Sequence, residues 1–142
     1  MVSIIVPFKN PMPFFEDCLK SIINQTYVKL QILLVNDGSD DESLELAKKM
    51  SVRDSRIEIL NNNGNGIIDA LNTGVEVSKG KFITRMDADD IMNPDKIKIL
   101  RNLLIENGYK HLSIGCVSYF SSNKKMGNGY LKYAKWLNQL TK

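Results

Sequence analysis

Nearly unbroken apolar runs alternate along the chain with stretches of helical period. VSIIV, LQILLV and LSIGCV, beginning at Val2, Leu30 and Leu112, read as strands covered on both faces, because a strand with one wet face would alternate polar and apolar positions. The pattern predicts strands at Val2–Pro7, Leu30–Asn36, Ile57–Leu60, Lys81–Met86 and Leu112–Tyr119. Helices are expected at Phe14–Asn24, Asp41–Met50, Ile67–Ser78, Pro94–Asn107 and Tyr130–Leu140. Each change of pattern carries Gly, Pro, Asn or Asp, the residues that interrupt regular structure. Ser39 with Glu42 three residues on reads as a capping box, and Asn93-Pro94 as an N-cap followed by a first-turn proline. Gly80 and Gly108 stand where a left-handed closing residue is wanted. Strands alternating with helices predict an α/β fold, three-layer α/β/α with a mostly parallel sheet.

Composition adds limits. The chain has 142 residues, 43% hydrophobic and 25% charged, a globular balance that excludes collagenous, low-complexity and disordered classes. The net charge of +3 is too small to make nucleic acid a default partner. It is unevenly spread: residues 1–90 hold 10 Lys/Arg against 14 Asp/Glu, and residues 91–142 hold 9 against 2. The basic stretch is either a solvated face or a patch suited to acidic ligands or anionic lipid. Tyr130, Tyr133 and Trp136 within it fall at i, i+3 and i+6, a helix face for packing rather than a nucleic-acid platform. Cys18 and Cys116 each sit in an apolar stretch, which predicts two buried, reduced thiols and a reducing compartment. The first apolar run stops at Pro7 without a basic leader, and no run approaches the ~20 residues of a membrane span. A cytoplasmic location is expected, with peripheral contact at the inner face of a membrane open to the basic stretch.

In an open α/β sheet, ligands collect at the carboxyl ends of strands. Those positions here hold Pro7-Phe8-Lys9-Asn10, Asn36-Asp37-Gly38-Ser39, Asn61 to Gly66, and Asp87-Ala88-Asp89-Asp90. The acids of the last segment repel one another unless a cation or solvent intervenes. In extended chain, Asp87 and Asp89 face one side with Cα atoms about 6–7 Å apart. That suits a hard divalent ion, Mg²⁺ or Mn²⁺, held by one or two carboxylates while water and substrate phosphates complete its shell. A nucleoside diphosphate ester is the implied ligand, and Asp90 reads as a helix-capping acid. Asp37 is placed either to read a ribose or base edge or to make the Asp-Gly-Ser turn alone. Phe8 is either a base-stacking ring or core. Neither G-x-G-x-x-G nor a P-loop is present, which argues against a nicotinamide cofactor or a P-loop nucleotide site.

Together VSIIVPFKN, CLKSIINQTY, ILLVNDGSDDES and GNGIIDALNTGVEVSKGKFITRMDADDIMNPDKI resemble the family-2 glycosyltransferases, the inverting group with the GT-A (nucleotide-diphospho-sugar transferase-like) fold. The resemblance implies that Pro7, Phe8, Lys9 and Asn10 line the nucleotide pocket and that Asp37 contacts base or ribose. It implies that Asp87-Ala88-Asp89 is the D-x-D motif, with Asp87 near the ribose and Asp89 on a metal bridging the donor diphosphate. Asn65, Asp69 and Arg85 lie in segments that face the donor in such enzymes. Residues 1–98 would form the nucleotide-sugar part and residues 99–142 the start of an incomplete acceptor part, the acceptor being a sugar or lipid-linked hydroxyl in polysaccharide or glycoconjugate synthesis. The family's base is a later carboxylate. Glu106 sits mid-helix and His111 reads as structural, so the base is expected beyond Lys142 and the chain alone is expected not to turn over sugar. The rivals are a non-catalytic nucleotide-binding fragment and a sugar-phosphate nucleotidyltransferase. The latter needs a Gly-rich, basic loop after the first strand, where Pro7–Asn10 supplies only Lys9. An Asp-nucleophile phosphotransferase would carry its D-x-D after the first strand rather than the fourth.

Overall fold

A computed structural model of the chain describes residues 1–108, 114–120 and 126–139. Four strands, β1 (Val2–Phe8), β2 (Leu30–Asn36), β3 (Ile57–Asn61) and β4 (Phe82–Arg85), form one parallel sheet in the order β3-β2-β1-β4. Helices α1 (Phe15–Ile23), α2 (Ser43–Arg53) and α3 (Ile67–Glu76) connect them. Further on are α4 (Lys96–Glu106) and α5 (Asn128–Gln139). The chain resolves into two compact units, Met1–Lys98 and Ile99–Lys142.

Strand parity divides the core of the first unit. Val2, Ile4, Val6 and Phe8 of β1, with Leu30, Ile32 and Leu34 of β2, meet Phe15, Cys18, Leu19 and Ile22 of α1 and Ala47 of α2. Ile5, Leu33 and Val35 point to the other face and meet Ala70 of α3. Side chains alternate along a strand, so two helical layers need apolar residues at every position, and β1 and β2 are buried throughout. This is the expected three-layer α/β/α arrangement.

The order of strands fixes where the sheet opens. From β1 the chain moves outward through β2 to β3, and α3 returns it to β4 on the opposite side of β1. The carboxyl ends of β1 and β4 therefore flank the topological switch point. The backbone of β1 that faces β4 belongs to odd-numbered residues: the Met1 and Ile5 carbonyls accept from the Lys81 and Met86 N–H groups at 3.1 and 2.9 Å. Pro7 is next in that row and has no N–H to continue the ladder. Pairing of β1 with β4 ends at Ile5 and Arg85, and the chain after Met86 departs from the sheet.

Buried polar side chains hold the connections. Ser3 Oγ donates to Gln31 Oε1 at 2.7 Å and accepts from the Gly80 N–H at 2.9 Å, while Gln31 Oε1 also accepts from the Lys79 N–H at 2.8 Å. Gln25, past the end of α1, donates to the Asn93 carbonyl at 2.7 Å and accepts from the Ile97 N–H at 3.1 Å. Ser21 Oγ accepts from the Met92 N–H at 3.0 Å. The stretch after the acidic residues is thus fastened to α1.

Several expectations need correction. The Ser39/Glu42 capping box does not form: α2 starts at Ser43, and Asp41 accepts from the Ser43 N–H and hydroxyl. Ser39 is occupied at the β1 end, accepting from the Asn10 N–H. Gly108 adopts φ +68° as expected of a closing residue. Gly80 does not take a left-handed conformation, and its glycine is required by close approach, since a Cβ there would lie 2.4 Å from the Ser3 nitrogen. Cys18 is buried but Cys116 is exposed. Residues 114–119 form no strand. Asn138 of α5 instead takes both backbone groups of Val117, accepting from its N–H at 2.7 Å and donating to its carbonyl at 2.8 Å. Leu112 and Leu140 lie outside the described residues. In the second unit Tyr119 packs on Tyr130 and Tyr133, and Tyr133 on Trp136, at centroid separations of 5.5–6.3 Å. Among the described residues no helix is long and apolar enough to cross a membrane.

Gln25→Ala would strand the buried Ile97 N–H and take the partner from the more exposed Asn93 carbonyl. A loss of about 2–4 kcal/mol is expected, read as a lower urea midpoint with an unchanged denaturant slope.

Candidate functional site

A cavity of about 420 Å³ opens at the β1/β4 switch point. Pro7, Phe8, Lys9 and Asn10 line it from β1, and Asp87, Ala88 and Asp89 from the segment after β4. A second cavity of about 400 Å³ lies at the ends of β2 and β3, walled by Asn36, Asp37, Gly38, Asn61, Asn62, Gly64 and Asn65. Lys9 lines both. Asp69 and Arg85 line neither: Asp69 accepts from the Asn65 N–H at 2.9 Å, and Arg85 meets Asp87.

The wall of the first cavity is set by Asn10, which takes φ +51°, a left-handed conformation that Asn tolerates better than most residues. Its Oδ1 accepts from the Asp40 and Asp41 N–H groups at 2.9 and 3.3 Å, and its Nδ2 donates to Asp40 Oδ1 at 2.6 Å. One side chain thereby ties the end of β1 to the loop after β2. Phe8 is core: it is 3% exposed and stacks on Phe15 at 4.8 Å, although it reaches the cavity wall.

The acidic segment combines held and open groups. Arg85 Nη2 donates to Asp87 Oδ1 at 2.5 Å with both side chains about half exposed (53% and 44%). Solvent screens such a pair to about 1 kcal/mol or less, so its effect is on orientation rather than stability. The Asp87 carbonyl accepts from the Cys18 thiol at 3.5 Å and from the Asp90 N–H at 3.2 Å. Asp89 is exposed, and among the described residues its carboxylate makes no hydrogen bond or ion pair. The Asp90 carboxyl is held above its ordinary pKa by loss of solvent, then by the charges of Asp87 and Asp89. Burial pushes the Cys18 thiol up to about 12, with Asp90, Asp89 and Asp87 adding to it, which leaves it protonated and unreactive.

Asp37 lies across the second cavity. Its carboxylate accepts from Asn62 Nδ2 at 2.5 Å and from the Gly66 N–H at 3.0 and 3.1 Å. These bonds, that of Asn62 first, hold its pKa below the usual carboxylate range, with Lys9 assisting.

The donor chemistry fits a hard divalent ion. Asp87 and Asp89 offer carboxylate oxygens at one cavity wall, and among the described residues no three His, Cys, Asp or Glu side chains gather as a metal cage. Mg²⁺ and Mn²⁺ suit such a sparse set, because one or two carboxylates suffice when phosphates and water supply the remaining oxygens.

Sequence reasoning did not single out Pro11, Met12, Phe14 and Ile67, which form an apolar rim on the first cavity, nor Asn62. The cluster Asn61-Asn62-Asn63 at a strand end was the available signal for Asn62. The rim residues look like ordinary helix-boundary positions and gave none.

A parallel sheet with its switch point beside strand-end acids places a ligand site at the carboxyl ends of β1 and β4. The model of the glycosyl transferase family 2 matches residues 3–141, and the chain belongs to that family. It is 36% identical over 126 residues to the uncharacterized glycosyltransferase EpsJ of Bacillus subtilis, covering 88% of this chain and 36% of that relative. Staphylococcus aureus TarS 1–349, solved in complex with UDP, superposes with a TM-score of 0.69 at 22% identity over 75% of this chain and 32% of its own. The mannosyltransferase PcManGT of Pyrobaculum calidifontis, solved with GDP-Man and Mn²⁺, gives 0.67 at 25% over 72% and 32%. The fold is accordingly that of the GT-A glycosyltransferases. The chain spans about a third of the length of EpsJ and of these structures.

Because its folded pKa is lowered, Asp37 contributes stability that is complete above the unfolded carboxyl value of about 4 and is lost as pH falls through the folded value. Asp37→Asn should therefore lower the urea midpoint at pH 7, and the difference from the unsubstituted chain should shrink as the pH is taken below about 4.

Proposed function

We propose that this chain is the donor-binding part of a glycosyltransferase that holds a nucleotide-sugar with Mg²⁺ or Mn²⁺. The sugar is transferred with inversion to a hydroxyl of a sugar or lipid-linked acceptor, in polysaccharide or glycoconjugate synthesis. The convergence of Lys9 and Asn10 with Asp87 and Asp89 on one cavity at the switch point carries the reading. The UDP bound to TarS and the GDP-Man bound to PcManGT support a nucleoside diphosphate there. In this reading residues 1–98 bind the donor and residues 99–142 begin the acceptor part. The general base is assigned outside residues 1–142. The setting is cytoplasmic, and the basic stretch, with exposed Lys132 and Lys135 on α5, faces an anionic membrane surface.

In the reaction the acceptor oxygen bonds to the anomeric carbon on the face opposite the diphosphate. The carbon–oxygen bond to the diphosphate breaks, and the hydroxyl proton passes to the base. A bound divalent ion supplies charge neutralisation for the departing diphosphate. Asp89 would hold it, with Asp87 beside it. Asp87 is oriented by Arg85 and anchored through its carbonyl by Cys18 and Asp90. Ala88, 8% exposed, keeps the wall between the two acids apolar. Lys9 brings a fixed positive charge to the wall shared by both cavities, favourable where phosphate charge grows. Asp37 offers an acceptor to the nucleoside. Pro7 and Phe8 shape the wall, and Asp69 braces the backbone at Asn65.

Titration of the chain with UDP, GDP and TDP, each with and without Mn²⁺, tests the assignment. Binding should depend on the metal, and Asp89→Ala should weaken it by about tenfold or more. Metal-independent binding, or an unchanged affinity in the variant, would remove the metal assignment.

A further inference from the structure

The loop from Asn61 to Gly66 and the end of β2 are joined through one amide side chain. Asn62 Nδ2 donates to Asp37 Oδ1 at 2.5 Å and to the Gly66 carbonyl at 3.1 Å. Its Oδ1 accepts from the Gly64 N–H at 3.0 Å, and its own N–H donates to the Asn36 carbonyl at 2.9 Å. Both amide protons are thus used inside the loop, and Asn62 has no donor left for a ligand. Asp37 is different. Its Oδ1 accepts from Asn62 and Gly66, whereas Oδ2 accepts from Gly66 alone and keeps lone-pair capacity. Gly66 delivers its N–H from φ +85°, a conformation that side chains rarely adopt.

We infer that Asn62 is a positioning residue that locks the Asp37 carboxylate with Oδ1 occupied and Oδ2 open, so that the second cavity presents one fixed acceptor to an N–H or O–H donor of the bound nucleoside. The inference rests on the donor-site reading and adds how its nucleoside end is organised. The donor is either an imide N–H of the base or a ribose hydroxyl, since both are complementary to a carboxylate. A neutral amide suits the task because it donates to Asp37 without charge of its own. The charged group acting on Asp37 is Lys9, from β1's end. An acid in place of Asn62 could donate only while protonated, and two carboxylates at this spacing share one proton until pH rises well above the ordinary carboxyl range.

The test measures binding to the full chain, with Mn²⁺ present, of UDP or GDP, whichever binds more tightly. Inorganic pyrophosphate serves as the probe without a nucleoside. Asn62→Ala should weaken the nucleotide about tenfold and leave pyrophosphate unchanged. Compared with the unsubstituted chain at each pH, Asn62→Asp should bind the nucleotide nearly as well at pH 5 and progressively less well toward pH 8. The 2′-deoxy and the imide N-methyl analogues distinguish the two donors: the analogue lacking the relevant group should bind weakly to the unsubstituted chain and lose little more in Asn62→Ala. Equal loss of pyrophosphate and nucleotide, a loss in Asn62→Asp that does not change with pH, or two analogues that bind like the parent would overturn the inference. Nucleotide binding unaffected by Asn62→Ala would also overturn the inference, while leaving the donor-site reading in place. No metal-dependent nucleotide binding by the unsubstituted chain would remove the donor-site reading and this inference with it.

Discussion

The first unit depends on β1 being enclosed on all sides. It pairs with β2 along its full length and with β4 along its first half, and its side chains are buried on both faces. A strand in that position has no solvent-facing residue to adjust, so beside β1 a ligand can enter where one of its ladders stops. Pro7 stops one of them by lacking a donor. Pairing with β2 continues to Phe8 and Asn36, but on the other side the strands part, and the acids after β4 come to stand across from Lys9 and Asn10. The geometry of the cavity is thereby a property of backbone hydrogen bonding, with side chains added to it.

Neutral amides then hold the loops around that opening. Asn10 joins the first and second strand ends, Asn62 joins the second and third, and Gln25 fastens the stretch beyond the acidic residues to α1. Each amide carries donor and acceptor on one planar head and can satisfy an N–H and a carbonyl together. Of the charges at the opening, Asp37 is held by neutral partners, Asn62 and the Gly66 N–H, and Asp87 by the ion pair with Arg85.

The parallel sheet was legible in the sequence because double burial writes itself as continuous apolar runs, and VSIIV and LQILLV had no other economical reading. The acids after β4 were legible because three carboxylates within four residues at a strand end repel one another unless a cation or solvent intervenes. LSIGCV had the same local appearance, yet 114–119 form no strand and the backbone groups of Val117 are taken by Asn138, distant in sequence. Ser39 and Glu42 satisfied a capping rule, yet Asn10, 29 residues away from Ser39, claimed the serine. Gly80 stands where a helix-closing glycine fits, but what requires it is the close approach of Ser3 on β1. Spacing reports local preference, and these features were decided by contacts between remote segments.

The two cysteines report on different parts of the molecule. Cys116 is exposed, whereas Cys18 lies under the acidic segment with its thiol against the Asp87 carbonyl. A thiol reagent would consequently label Cys116 at once and reach Cys18 when the packing around it opens, including the contact with the Asp87 carbonyl. The second labelling rate is then a built-in clock for that opening, readable without any substitution in the chain.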